Sequence, residues 1–137
     1  MTAWVLYALL AAAFAALVAI LGKVGVAHVD TTLATAVRSV VMTVVLVVAA
    51  VVLGRTRLST IDGRSLAFIA LSGLAGAASW LFYFVALKHG PAAGVSALDR
   101  LSVALVFVLA VLFLGDPLTW KGATGAILVV AGAILLT

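Results

Sequence analysis

The chain contains no cysteine, which excludes disulfide bridges, thiolate metal ligands and a cysteine nucleophile. Charge is almost as scarce. Only 9% of the 137 residues are Asp, Glu, Lys or Arg, and 67% are hydrophobic, whereas a soluble domain is about a quarter charged and about half apolar. That balance points away from a soluble globular domain. The formal net charge is +4, yet the basic residues are scattered and no aromatic–basic patch exists to stack bases. Nucleic acid is therefore not an expected partner. No Lys or Arg precedes the first apolar run, which begins at Ala3, so the positive n-region of a cleaved signal peptide is missing and a retained helix is expected. Ala11-Ala12-Ala13 could still imitate a cleavage site. Catalytic signatures are missing too: there is no Ser-His-Asp constellation, HExxH helix, phosphate-binding loop or dinucleotide glycine fingerprint. His28 and His89 stand in connections without carboxylates at ligand spacing, so neither a metal site nor a cofactor is expected. Without a phosphate-binding loop, any transport has to run downhill or be driven by an ion gradient.

What the chain does have is apolar length. A spanning helix needs ~20 mostly apolar residues, and five segments supply them, at about 3–21, 31–53, 66–88, 91–114 and 117–136. The expected fold is an all-α integral membrane protein, a five-transmembrane-helix bundle forming one domain over 1–137. In the first segment Ala8, Ala12, Ala16 and Ala11, Ala15, Ala19 recur at four-residue spacing, which lets helix backbones approach closely. Gly22 to Asp30 reads as a helix end and tight connection, with Asp30 as N-cap of the second helix. Gly90-Pro91 reads as a C′ glycine followed by a first-turn proline, and Gly115-Asp116-Pro117 as a second stop and start with Asp116 as N-cap. The one clearly polar connection, 54–65, carries Arg55, Arg57 and Arg64. If it is cytoplasmic, that side holds these three and Lys121, against Lys23 and Lys88 opposite. The positive-inside rule then places the N-terminus inside and the C-terminus outside. So modest a bias also leaves insertion in both orientations open.

Arg38, Asp99 and Arg100 fall inside apolar segments, where a charge costs about 2.5–3.5 kcal/mol on insertion scales. Arg38 lies eight residues past Asp30 and Asp99 eight past Pro91, each about 12 Å into its helix. If those helices touch, the two residues are candidate ion-pair partners. Arg100 points about 100° away from Asp99 on a helix and needs an acceptor elsewhere: a carbonyl, a water-filled cavity, a solute anion or a carboxylate of a second subunit. One reading makes Arg38 and Asp99 a structural clamp and lets Arg100 snorkel to an interface. The functional reading makes them the lining of a polar cavity. Asp99 then exchanges a proton, balanced between burial, which favours the neutral form, and a nearby Arg, which favours the charged one. Ser96 and Ser102 share its face. In the third segment Gly76, Trp80, Tyr83 and Leu87 form a stripe at helical spacing. Trp80 and Tyr83 could stack an aromatic or cationic solute, or serve as interfacial belt or ordinary packing. Trp4, Tyr7 and Trp120 read as belt residues, and Lys23 as a helix-end anchor that could reach a cavity mouth.

Three stretches carry a resemblance: Ser79-Trp80-Leu81-Phe82-Tyr83-Phe84-Val85-Ala86-Leu87, Leu98-Asp99-Arg100-Leu101-Ser102-Val103, and Val111-Leu112-Phe113-Leu114-Gly115-Asp116-Pro117-Leu118-Thr119-Trp120-Lys121. Together they resemble the EamA family of the drug/metabolite transporter superfamily, over essentially the whole chain, as a single five-helix repeat. Arg38 matches an alanine-x-arginine element of the second helix. Two departures stand out: Asp116 occupies a position where the family usually has Glu, and no arginine stands near Val85, although Lys88 lies one turn on. Typical members carry two repeats of opposite topology. The resemblance therefore implies half of a ten-helix inverted-repeat fold, completed by a second copy in a homodimer, antiparallel if the copies insert oppositely. It further implies a secondary transporter moving a small organic solute (a metabolite, amino acid or drug-like molecule) across the inner, cytoplasmic membrane. The site would lie near the midplane at the repeat interface. The expected site residues are Arg38, Trp80, Tyr83, Ser96, Asp99 and Arg100, and the expected partners are the lipid bilayer, the solute and a second copy. The alternative is a non-transporting membrane subunit that packs with or modulates a partner. An intramembrane enzyme is least supported, because only one carboxylate lies deep and no nucleophile surrounds it.

Overall fold

In water the valine-rich stretch 40–52 would be a poor helix, because β-branched side chains lose rotamer freedom there. In a bilayer every backbone N–H and C=O must be satisfied within its own segment, and the helix does this locally. The computed structural model, which describes residues 3–57 and 60–137, forms helices throughout the apolar stretches. Leu58 and Ser59 of the polar connection lie outside the described residues. Helix α1 covers Ala3–Gly25, α2 Thr31–Val52, α3 Gly63–His89, α4 Ala92–Asp99, α5 Leu101–Leu109 and α6 Trp120–Leu135, with a π-helical turn at Ala110–Leu114 after α5. No strand occurs among the described residues. Helices α1, α2, α3 and the run Ala92–Leu114 are each long and apolar enough to cross a membrane, and α6 is a shorter apolar helix. This is the expected all-α, five-segment membrane bundle.

The helix ends show what the sequence signals do. Asp30 is the N-cap of α2: its backbone is extended and its carboxylate accepts the Leu33 N–H at 3.0 Å. At the other end of α2, Gly54 takes φ +66°, and the Arg55 N–H returns to the Ala50 carbonyl at 2.8 Å. That left-handed residue and reversed hydrogen bond close a helix without a Cβ penalty. Gly115, at φ +74°, ends the π-helical turn in the same way, and the Asp116 N–H bonds Ala110 O at 3.2 Å.

Two end assignments change, and one segment is interrupted. Asp116 does not cap the last helix, which starts only at Trp120; its N–H closes the preceding turn on Ala110 O. No regular element forms over 115–119; Thr119 is extended, and its hydroxyl accepts the Gly122 N–H at 3.1 Å and starts α6 at Trp120. Pro91 is the extended N-cap residue of α4, not its first helical residue. The segment 91–114 is also not one uninterrupted α-helix. At Arg100 (φ −68°, ψ −10°) it tightens, with Arg100 N–H bonded to Ala97 O at 3.1 Å and Val103 N–H to Arg100 O at 3.0 Å. These are three-residue closures of the 3₁₀ kind.

The chain divides into two compact units, a middle one of Gly22–Lys88 and a terminal one of Met1–Leu21 with His89–Thr137. In the middle unit, the end of α1 closes on the last turns of α3. A Cβ at Gly22 would stand 3.3 Å from Leu87 Cδ1 and 3.5 Å from Phe84 Cζ, and Val26, Phe84 and Leu87 are buried. Lys23 donates from Nζ to the carbonyls of Leu87 and Lys88, while Lys88 Nζ donates to Val29 O at 3.0 Å. The two lysines satisfy carbonyls that the ends of α3 and of the 26–30 connection leave open. In the terminal unit, α6 packs along α4 and α5. Buried Gly94, Ala97 and Ala133 allow the approach, as small residues do between membrane helices.

Candidate solute-binding site

The middle unit brings three expected or neighbouring aromatic residues and one charge together. Arg38 lies seven residues into α2, and Trp80 nine residues before the end of α3, so each sits roughly 10–14 Å from one end of its helix. The Arg38 guanidinium carbon lies 3.6 Å above the centroid of the Trp80 ring and 5.7 Å from that of Phe84. Trp80 meets Tyr83 edge to face at 5.4 Å and Phe84 at 5.9 Å, and Tyr83 meets Phe84 at 6.3 Å. Those separations are within the range of favourable aromatic pairs. Arg38, Trp80 and Tyr83 are half-buried, while Phe84 is buried at the base of the cluster.

The hydroxyl donors beside Arg38 are tied to their own helix. Thr35, Ser39 and Thr43 each donate a hydroxyl hydrogen bond to the carbonyl four residues earlier, at 2.7, 2.8 and 2.9 Å. Such back-bonding lets a hydroxyl face an apolar surrounding without an outside partner. Among the described residues of this unit, Asp30 and Asp62 are the carboxylates, and each is engaged at a helix start. Arg38 therefore has an aromatic face in its own unit and no anion there. A cation–π contact is worth about 0.5–2 kcal/mol depending on desolvation, less than the roughly 2.5–3.5 kcal/mol that a guanidinium costs at mid-span. The ring stabilises the charge in part only.

The other candidates stand in the terminal unit. Ser96 is half-buried on α4, Asp99 is its last residue, and Arg100 occupies the tightened turn; both charged residues are exposed. At three residues per turn, positions three apart eclipse, so Ser102 stays on the Asp99 side and Arg100 still points elsewhere. Lys23, expected as a helix-end anchor, bonds the α3 end described above. Phe84 was not among the expected site residues. Its place four residues after Trp80 on one helix face was the available signal.

A model of the EamA-like transporter family matches residues 2–137. The chain belongs to that family. A Sinorhizobium sp protein named "Uncharacterized transporter in cobO 3'region" is 48% identical over 134 residues, which cover 97% of this chain and 95% of the relative. No solved structure matches. With its membrane-length helices, this EamA-like chain is a multi-pass membrane protein of a transporter family, and that membership points away from enzymatic catalysis.

Proposed function

We propose that this EamA-like protein is a secondary transporter that moves a small organic solute across the cytoplasmic membrane, coupled to protons through Asp99. The observation that carries this reading is the Arg38–Trp80–Tyr83–Phe84 cluster inside membrane-length helices, since ionisable groups within spans mark solute or ion pathways by default. Trp80 and Tyr83 supply apolar and aromatic contact for the solute, and Arg38 supplies charge. In the terminal unit Asp99 exchanges the proton, with Ser96 three residues earlier on α4 and Arg100 next in sequence as further polar site residues. Two copies of the chain assemble the working unit, antiparallel in the membrane, because one five-segment repeat is half of an inverted-repeat architecture.

Flux into proteoliposomes, measured at several external pH values, tests the coupling. Asp99→Asn should remove the pH dependence of uptake, and unchanged uptake with an unchanged pH profile would overturn the assignment. Labelling of cysteines introduced at each terminus tests the orientation. Antiparallel copies give labelling from both membrane sides, and strictly one-sided labelling excludes them.

The alternative, a non-transporting subunit, draws on the terminal unit. An apolar groove of about 460 Å³ runs between α5 and α6, lined by Ala104, Phe107, Ala123, Ile127 and Val130 among others, and a partner helix would fit such a surface. Absence of flux for any solute, together with co-purification of a second membrane protein, would favour that reading.

A further inference from the structure

The geometry points to a carboxylate as the solute group that this site takes: the cluster of Arg38, Trp80, Tyr83 and Phe84 is an anion site with an aromatic floor. The inference rests on the cluster's being part of the solute site. Aromatic rings at this depth suggested stacking of an aromatic or cationic solute, but a cation already lies on the Trp80 face, 3.6 Å from its centroid. A cationic solute would have to displace Arg38 or sit beside a like charge. A stacked guanidinium behaves differently toward an anion. Its N–H groups lie in the plane of the group, so stacking on a ring leaves them pointing outward, and two of them match the oxygens of a carboxylate.

Three observations hold the fork in place and leave it open. Phe84, buried beside Trp80, places a second ring with its centroid 5.7 Å from the same guanidinium. The neighbouring hydroxyls of Thr35 and Ser39 donate to carbonyls of their own helix, and neither accepts a hydrogen bond from Arg38. Arg38 is itself half-buried, so its donors remain reachable. The body of the solute is apolar, since Trp80 and Tyr83 are what the structure offers beside the charge. A small monocarboxylate with a flat or aliphatic body meets these conditions.

The test uses the purified full chain in detergent micelles. Of its three tryptophans, Trp4 and Trp120 are replaced by Phe, leaving Trp80 as the reporter. Benzoate, benzyl alcohol and benzylamine share a ring and differ in charge. Benzoate should change Trp80 emission saturably, benzyl alcohol should act about tenfold more weakly, the scale of a lost charge-assisted pair, and benzylamine should not saturate in that range. Arg38→Gln should remove the preference for benzoate, and Arg38→Lys should keep a weakened one. Benzylamine binding as tightly as benzoate, no response to benzoate, or an undiminished response in Arg38→Gln would each overturn the proposal. The three ligands on the Arg38-containing chain decide the matter even if Arg38→Gln does not fold. Benzoate flux into proteoliposomes separates the two claims. Binding without flux keeps the anion site and removes the transport reading. Flux of an amine with no benzoate binding does the reverse.

Discussion

Gly122 is the position in α6 where a single methyl group should do most harm, and Gly125, less than one turn away, is its control. A Cβ at Gly122 would lie 2.6 Å from Phe107 Cε2, 3.2 Å from Phe107 Cζ and 3.0 Å from Thr119 Oγ1, whereas one at Gly125 would meet nothing within 4 Å. Carbon atoms pack best at about 3.5–4.0 Å, so in Gly122→Ala the Phe107 ring has to retreat by about 1 Å. Overpacking of that size costs about 1–3 kcal/mol. The displaced Thr119 hydroxyl is also the N-cap of α6, and a lost cap adds up to ~1 kcal/mol. Against this stands the helix preference of Ala over Gly, about 0.8–1.0 kcal/mol. Gly122→Ala should therefore be about 0–3 kcal/mol less stable than the unmodified chain, and Gly125→Ala up to ~1 kcal/mol more stable. Unfolding of the purified chain by SDS in mixed micelles, followed by far-UV circular dichroism, measures both. Adding Phe107→Leu to Gly122→Ala should recover much of the loss, because the two side chains share one volume and their effects are not additive. If Gly122→Ala proves as stable as Gly125→Ala, the packing of α5 on the first turn of α6 is not as described.

The cap assignments give a second prediction: Thr119→Ala should lose ~1 kcal/mol in the same unfolding assay, and Asp116→Asn should stay within about 0.5 kcal/mol of the unmodified chain. A third concerns acid. The Ser65 hydroxyl and N–H hold the Asp62 carboxyl below the usual carboxylate range. Its contribution to the start of α3 is therefore present above the unfolded value of about 3.9 and is lost as pH falls through the lower folded value. Stability measured from pH ~5 down to pH ~2 should fall more steeply for the unmodified chain than for Asp62→Asn across that window, and parallel curves would remove the effect.

The sequence reading located the spans well because hydropathy and length are read residue by residue. Asp30 was legible as a cap for the same reason: its carboxylate needs only an N–H three residues on. The start of α6 was not legible. Asp116-Pro117 and Thr119 are both competent starts by local chemistry, and it is the Thr119 hydroxyl that takes the first-turn N–H, of Gly122, while the chain at Asp116 is still closing the preceding turn on Ala110 O. A hydrogen bond spanning six residues around a left-handed glycine has no signature beyond the glycine itself. In the candidate site, Arg38, Trp80 and Tyr83 were each identified from depth and helical spacing, but their grouping could not be. Depth places a residue along its helix and says nothing about azimuth. The turn of α2 aims Arg38 at the Trp80 ring, and only the relative rotation of α2 and α3 could reveal that.

The tightening at Arg100 alters the neighbouring pair of charges without making helix ends of them. Arg100 keeps right-handed helical dihedrals, and the bonds from its N–H to Ala97 O and from the Val103 N–H to its carbonyl carry the chain on from α4 into α5. Ala92–Leu114 therefore remains one apolar span of 23 residues, and its peptide dipoles stay aligned through Asp99 and Arg100, so neither residue meets the end charge of a helix. What the three-residue closures change is azimuth: positions three apart come close to eclipsing, which keeps Ser102 on the Asp99 side and Arg100 off it. Both charged side chains are exposed, and at mid-span each costs about 2.5–3.5 kcal/mol, an expense that the turn itself does nothing to offset.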